Sequence, residues 1–194
     1  MAPKFGTSGL RGLVTELTPA LVADYTRAFL AACPTGGAVF VGRDLRPSSP
    51  DIAEGVIDTV RAAGLPVTDC GALPTPALAL AAMRAGAAAV MVTGSHIPAD
   101  RNGLKFYLPT GEIAKRDETA ITAHLGQPTA SGQGPRLDGS DAVRAYVARY
   151  VEAFGDRALA GLRLGVYQHS SVARDILVTV MQGLGAETVA LGRS

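Results

Sequence analysis

Seven consecutive residues, Ala87-Ala-Ala-Val-Met-Val-Thr93, constrain the fold of this chain more than any other stretch. They are apolar without polar alternation, the pattern of a strand buried on both faces of a sheet. Such a strand needs helices on both sides, and the flanking sequence supplies them. Residues 19–32 read as a helix with Leu21, Val22, Tyr25, Ala28 and Phe29 on one face and Thr18 as its N-cap. Residues 49–64 read as a second, capped by Ser49, with Pro50 at the first position and Gly64 as the stop. Helices are also expected over 76–85 and 116–125, and strands over 38–41, 66–70 and 104–108. This alternation predicts an α/β fold with a mixed, mostly parallel sheet sandwiched by helices.

Residues 126–139 are rich in Gly, Pro, Ser and Gln and lose all hydrophobic period, so they read as a linker. The chain therefore divides into a first domain over 1–138 and a second over 139–194. The second opens with an amphipathic helix carrying Val143, Tyr146, Val147, Tyr150 and Val151, then strand 163–167, helix 172–183 and strand 188–191. One βαβ unit cannot bury its own sheet. The second α/β domain is thus expected to be incomplete, to expose apolar surface after Gly161 and to favour self-association.

Eighteen Lys and Arg against 17 Asp and Glu leave a net charge of +1, which argues against a nucleic-acid binder. Apolar runs are broken by Arg84, Gly86 and Gly94, well short of a membrane span, and residues 1–6 lack the layout of a signal peptide. Cys33 and Cys70 stand apart in apolar surroundings and read as core thiols of a reducing compartment. A cytoplasmic protein is expected.

Dinucleotide turns, P-loops and His-Glu-x-x-His are missing, and Ser95 lacks the flanking glycines of a nucleophile elbow. His96 adjoins Ser95, and neighbouring side chains in extended chain diverge, so it is poorly placed as that serine's base. Instead, chemistry concentrates in the loop Thr93-Gly-Ser-His-Ile-Pro-Ala-Asp-Arg-Asn-Gly-Leu-Lys105, just after the most buried strand. Asn102-Gly103 reads as a tight turn that carries Lys105 back towards Ser95. A serine beside a histidine and a lysine suits a phosphoryl acceptor, since phosphoryl transfer is mostly positioning and charge neutralisation. The same residues also fit a hairpin with incidental polar groups. Phe5-Gly-Thr7-Ser8-Gly-Leu-Arg11-Gly12 reads either as a backbone cradle for phosphate or as a flexible lead-in. Arg43 and Arg46, with Asp44 between them to hold one of them, suit bidentate phosphate contact or a solvated charged turn. Arg outnumbers Lys 15 to 3, so Lys105 is the more telling cation. His124 and His169 show no partner in the sequence.

Together these segments resemble the α-D-phosphohexomutases, specifically the phosphomannomutase/phosphoglucomutase group. The resemblance rests on Phe5-Gly-Thr-Ser-Gly-Leu-Arg-Gly12, Gly42-Arg-Asp-Leu-Arg46, Gly71-Ala-Leu-Pro-Thr-Pro76, and Thr93-Gly-Ser-His-Ile-Pro98 with Asn102-Gly-Leu-Lys105. It implies the phosphoserine-bearing first domain of a four-domain enzyme that interconverts hexose 1-phosphate and hexose 6-phosphate through a bisphosphorylated sugar. Carried over, Ser95 is the phosphoserine and, through its phosphate, one ligand of Mg²⁺. Lys105 is the general acid/base, His96 stabilises or relays protons, and Arg11 contacts the phosphoserine region. Thr7, Ser8, Arg43, Arg46 and Asn102 complete the implied substrate and phosphate contacts. A phosphosugar is the implied partner, a hexose bisphosphate the activator, and neither nucleic acid nor membrane is involved. Ile97 stands where many members have asparagine, so no polar contact is expected there. The family's Asp-Gly-Asp-x-Asp-Arg metal loop does not occur in these 194 residues. The chain is thus expected to be an N-terminal fragment, inactive alone. The alternatives are a non-catalytic phosphosugar-binding or regulatory module and a phosphoglucosamine mutase.

Overall fold

The computed structural model describes residues 3–6, 9–128 and 131–193. The backbone falls into two compact units, Met1–Gly139 and Ser140–Ser194.

In the first unit the chain order is β1 (Lys4–Gly6), β2 (Gly9–Leu13), α1 (Pro19–Ala32), β3 (Val39–Arg43), α2 (Ser49–Ala62), β4 (Val67–Ala72), α3 (Thr75–Arg84), β5 (Ala88–Val92), β6 (Arg101–Leu108), β7 (Gly111–Glu112), α4 (Lys115–Ala123) and β8 (Arg136–Asp138). Across the sheet the strands run β1-β2-β6-β5-β3-β4-β8, with β7 paired to β6. Strands β5, β3, β4 and β8 are parallel, and β6, β2, β1 and β7 add to them antiparallel. This is the mixed α/β sheet that the alternation of segments predicts.

Strand β5 is buried along its whole length, as a strand without polar alternation must be. Val90 and Val92 join Val41, Leu104 and Phe106 in a core completed by Val22, Phe29, Val56 and Ile57 of α1 and α2. Phe29 and Phe106 pack with ring centroids 4.8 Å apart. Full burial of one such side chain contributes roughly 1.5–3 kcal/mol. The other face is closed by α3, whose Leu78 lies with Leu73 over Gly42.

Local chemistry sets the helix ends. The Thr18 hydroxyl accepts from the Leu21 N–H at 3.3 Å, and Pro19 opens α1. In α2, Asp51 in the first turn and Arg61 in the last complement the helix dipole. The expected cap differs: Ser48 holds the N-cap position, and Ser49 is the first helical residue, its hydroxyl donating elsewhere.

Three other expectations change. Residues 4–6 and 9–13 form a hairpin at the sheet edge. Strand β6 starts at Arg101, because β2 pairs with it from Leu13↔Arg101 to Leu10↔Leu104. Asn102-Gly103 is therefore strand, not turn; a Cβ on Gly103 would lie 2.4 Å from the Leu10 carbonyl oxygen, so glycine permits the close strand approach. The stretch read as a linker contains β8, which pairs in parallel with β4. Arg136 pins it there with ion pairs of 2.7 Å to both Glu54 and Asp69.

The second unit consists of α5 (Asp141–Phe154), β9 (Arg163–His169), α6 (Arg174–Gly183) and β10 (Glu187–Arg193). Its two strands are parallel, from Arg163↔Glu187 to His169↔Arg193, which makes one βαβ unit. Phe154, Leu162, Tyr167 and Leu191 are exposed. Among the described residues no helix is long and apolar enough to cross a membrane.

Candidate active site

From β3 the chain passes through α2 to β4 on one side, and α3 then returns it to β5 on the other side of β3. The strand order reverses there, and ligands of open α/β sheets bind outside the carboxyl ends of strands at such a reversal. The two loops at that point are Asp44–Ser48, after β3, and Thr93–Asp100, after β5.

Asp44 joins them. Its Oδ1 accepts from the Arg46 N–H at 3.0 Å and the Ser49 hydroxyl at 2.5 Å. Its Oδ2 accepts from the Thr93 hydroxyl and the Gly94 N–H, both at 2.9 Å. Four donors on one half-buried carboxylate fix the start of the second loop against the start of α2.

The Thr93 hydroxyl in turn accepts from the Ser95 N–H at 2.9 Å. Ser95 is exposed and left-handed, with φ +48°, a conformation that costs a non-glycine residue roughly 1–2 kcal/mol. The chain here is not extended, which corrects the expectation that Ser95 and His96 diverge. Ser95 Oγ lies 3.3 Å from His96 Nδ1, within reach for a shared proton.

Arg46, expected at phosphate, is engaged by the protein. Nη1 donates to the carbonyls of Pro98 at 2.6 Å and Arg101 at 3.0 Å; Nη2 donates to those of Ile97 at 2.6 Å and Ser95 at 3.3 Å. Nε stands 3.6 Å from Asp44 Oδ2, so Asp44 does hold one of its neighbouring arginines. Asn102, also expected at substrate, is fully buried. Its amide donates to the Ser48 and Ser49 hydroxyls, each at 2.9 Å, and accepts from the Gly103 N–H at 2.8 Å.

Arg43 closes β3 half-buried, and no hydrogen bond or ion pair joins its side chain to another described residue. Arg11 pairs opposite Gly103, so by strand alternation Arg11 and Lys105 rise from the same face of β2 and β6. The Lys105 ammonium lies 3.4 Å from Glu112 Oε1 and makes no hydrogen bond to Ser95. Thr7 and Ser8 lie outside the described residues. His124 and His169 have partners after all: the Ala120 carbonyl at 2.8 Å and the Tyr167 ring at 5.6 Å.

Sequence reasoning missed Ser48 and Glu112, and it assigned Thr93 and Ser49 no anchoring role. Ser48-Ser49 directly after an Arg-Asp loop was a usable signal for polar anchoring at a helix start. Glu112 reaches Lys105 only because β7 folds back on β6.

Comparison with known proteins identifies the family of this fold. Residues 2–131 match the family described as "Phosphoglucomutase/phosphomannomutase, alpha/beta/alpha domain I". The chain is 50% identical to a phosphomannomutase of Sinorhizobium fredii strain NGR234, over 100% of this chain and 44% of that protein. It is 32% identical to a phosphoglucosamine mutase of Thermobifida fusca, over 99% of this chain and 45% of the relative. A crystal structure of a phosphoglucomutase/phosphomannomutase family protein from Burkholderia thailandensis superposes with a TM-score of 0.77 at 31% identity, over 95% of this chain and 43% of that one. The chain thus spans under half the length of the relatives it matches. With a matched family domain over most of its length and a serine loop at the strand-order reversal of that domain's sheet, the chain belongs to the phosphoglucomutase/phosphomannomutase family.

Proposed function

We propose that this chain carries the phosphoserine site of a cytoplasmic phosphohexomutase, with Ser95 as the residue that takes and returns the phosphoryl group. The observation that carries this reading is the Ser95 hydroxyl itself: exposed at the strand-order reversal, held in a left-handed turn, and 3.3 Å from His96 Nδ1. When a hexose bisphosphate loads the serine, the Oγ–P bond forms and one sugar O–P bond breaks. The serine proton passes to His96, and the sugar oxygen gains a proton as it leaves. In the return direction the sugar hydroxyl attacks the phosphoserine and gives up its proton, and Ser95 Oγ takes one back. Lys105, held by Glu112, is the acid/base at the sugar oxygen. Arg43, with no partner among the described residues, and Arg11, on the Lys105 face, are the phosphate contacts. Arg46 and Asn102 are not, because protein groups already occupy them.

Magnesium ordinarily neutralises the transferring oxygens in such chemistry. The described residues do not by themselves fit it. They hold no group of three His, Cys, Asp or Glu side chains placed for a metal, and Asp44 already accepts four hydrogen bonds.

Intact-mass analysis after incubation with glucose 1,6-bisphosphate tests the reading. One added phosphate, mapped to Ser95, is expected, with no sustained conversion of hexose 1-phosphate in a coupled assay. Binding of the bisphosphate without phosphorylation would make the chain a phosphosugar-binding module instead. Robust multiple turnover would show that the chain is a complete enzyme.

A further inference from the structure

The carbonyl oxygens of residues 95–101 raise a question of satisfaction. Within this loop the backbone makes few bonds to itself: Ile97 N–H to the Gly94 carbonyl at 3.0 Å, and Arg101 N–H to the Pro98 carbonyl at 3.1 Å. The carbonyls of Ser95, Ile97 and Arg101, together with that of Pro98 beside its bond to Arg101, converge on one point, and Arg46 fills it. Its two terminal nitrogens serve all four oxygens. A guanidinium can do this because its donors are fixed in a planar fork; an ammonium offers three donors from a single atom. The fit is close, since a Cβ on Gly94 would lie 2.0 Å from Arg46 Nε.

Asp44 and Arg46 divide the loop between them. Asp44 holds Thr93 and Gly94 at its start, and Arg46 holds four carbonyls beyond. Ser95 is bound from both sides: its N–H by the Thr93 hydroxyl, itself held by Asp44, and its C=O by Arg46. Tying both backbone polar groups of one residue opposes its relaxation out of the left-handed region. The direction of the Ser95 Oγ follows from that backbone.

We infer that Arg46 is a positioning residue for phosphoryl transfer, a clamp that holds the Ser95 backbone in its left-handed conformation and so aims the hydroxyl, without itself touching phosphate. The inference rests on the assignment of Ser95 as phosphoryl acceptor.

Two readouts on the full 194-residue chain test it. The first is amide hydrogen exchange of residues 93–101 in the wild type, R46K and R46A. Both variants are expected to exchange faster in this loop by at least about tenfold, with β3 and β5 protected as before. Guanidinium ion at a concentration that leaves the wild-type melt unchanged should restore loop protection to R46A. The second is the rate of Ser95 phosphorylation from glucose 1,6-bisphosphate, followed by intact mass. A displacement of the hydroxyl by about 1 Å lowers the saturated rate by roughly 10²-fold, with the half-saturating bisphosphate concentration unchanged. A rise in that concentration at unchanged saturated rate would make Arg46 a phosphate contact and overturn the clamp. Unchanged loop exchange in R46K and R46A would overturn it as well. Should R46A fail to fold, R46K decides both readouts. A wild-type chain that takes no phosphate on Ser95 overturns the serine assignment, and the exchange result then decides the loop clamp alone.

Discussion

The Ser95 hydroxyl oxygen lies 3.3 Å from Nδ1 of His96, the next residue in the chain. A left-handed backbone at Ser95 makes this contact, because it turns two adjacent side chains to the same side. His96→Ala should slow phosphorylation of Ser95 by roughly 10²–10⁴-fold, the usual contribution of a positioned acid or base. Ser95→Ala should accept no phosphate while its unfolding free energy stays within about 0.5 kcal/mol of wild type, as for other exposed substitutions. Phosphate mass on the Ser95→Ala protein would mean that another group is the acceptor.

Lys105→Met should leave Ser95 phosphorylatable but slow transfer from phospho-Ser95 to a sugar phosphate by roughly 10²–10⁴-fold. Rapid-quench single-turnover measurement separates this from a change confined to substrate binding. Loss of the Lys105–Glu112 pair should cost at most about 1 kcal/mol of stability, since the Glu112 side chain is 44% exposed and water screens the pair. The two effects are thus separable in one variant.

Asn102→Ala should destabilise the fold by roughly 2–3 kcal/mol. It removes the partner of the Gly103 N–H and of two hydroxyls at the start of α2, all on the buried side. Urea unfolding is the measurement, and a loss below about 0.5 kcal/mol would show that water replaces the amide there.

Burial pushes the Cys33 thiol up to about 11 and the Cys70 thiol to about 12. Both cysteines are therefore expected to react slowly with iodoacetamide at pH 8, because the thiolate is the nucleophile. In the unfolded chain the same thiols ionise near their ordinary value of about 8.5. Their contribution to stability is whole below that pH and is lost as pH rises towards 11. Thermal melts from pH 8 to 10.5 should fall in midpoint, and replacing both cysteines with alanine should flatten the slope.

The sequence by itself determined the layer architecture. A doubly buried strand at 88–92 and amphipathic helices on either side of it leave few ways to hide the apolar surface, and the local cap chemistry at Thr18 and Pro19 places a helix start to the residue. It also marked the segment after that strand as the candidate site, since Ser95, His96 and Lys105 follow it closely in the chain. Tertiary structure decided what the charged and amide side chains of the site do. Arg46 and Ser95 are 49 positions apart, Asn102 and Ser49 are 53 apart, and Lys105 meets Glu112 only through the β6–β7 pairing. An arginine in a loop reads as a phosphate ligand until the carbonyls that converge on it are known. Periodicity reports which face of an element is apolar; it holds no information on which distant polar groups will need a partner once water is excluded. That need arises only when β3 and β5 lie side by side, where Arg46 meets the carbonyls of the serine loop and Asn102 meets the hydroxyls at the start of α2.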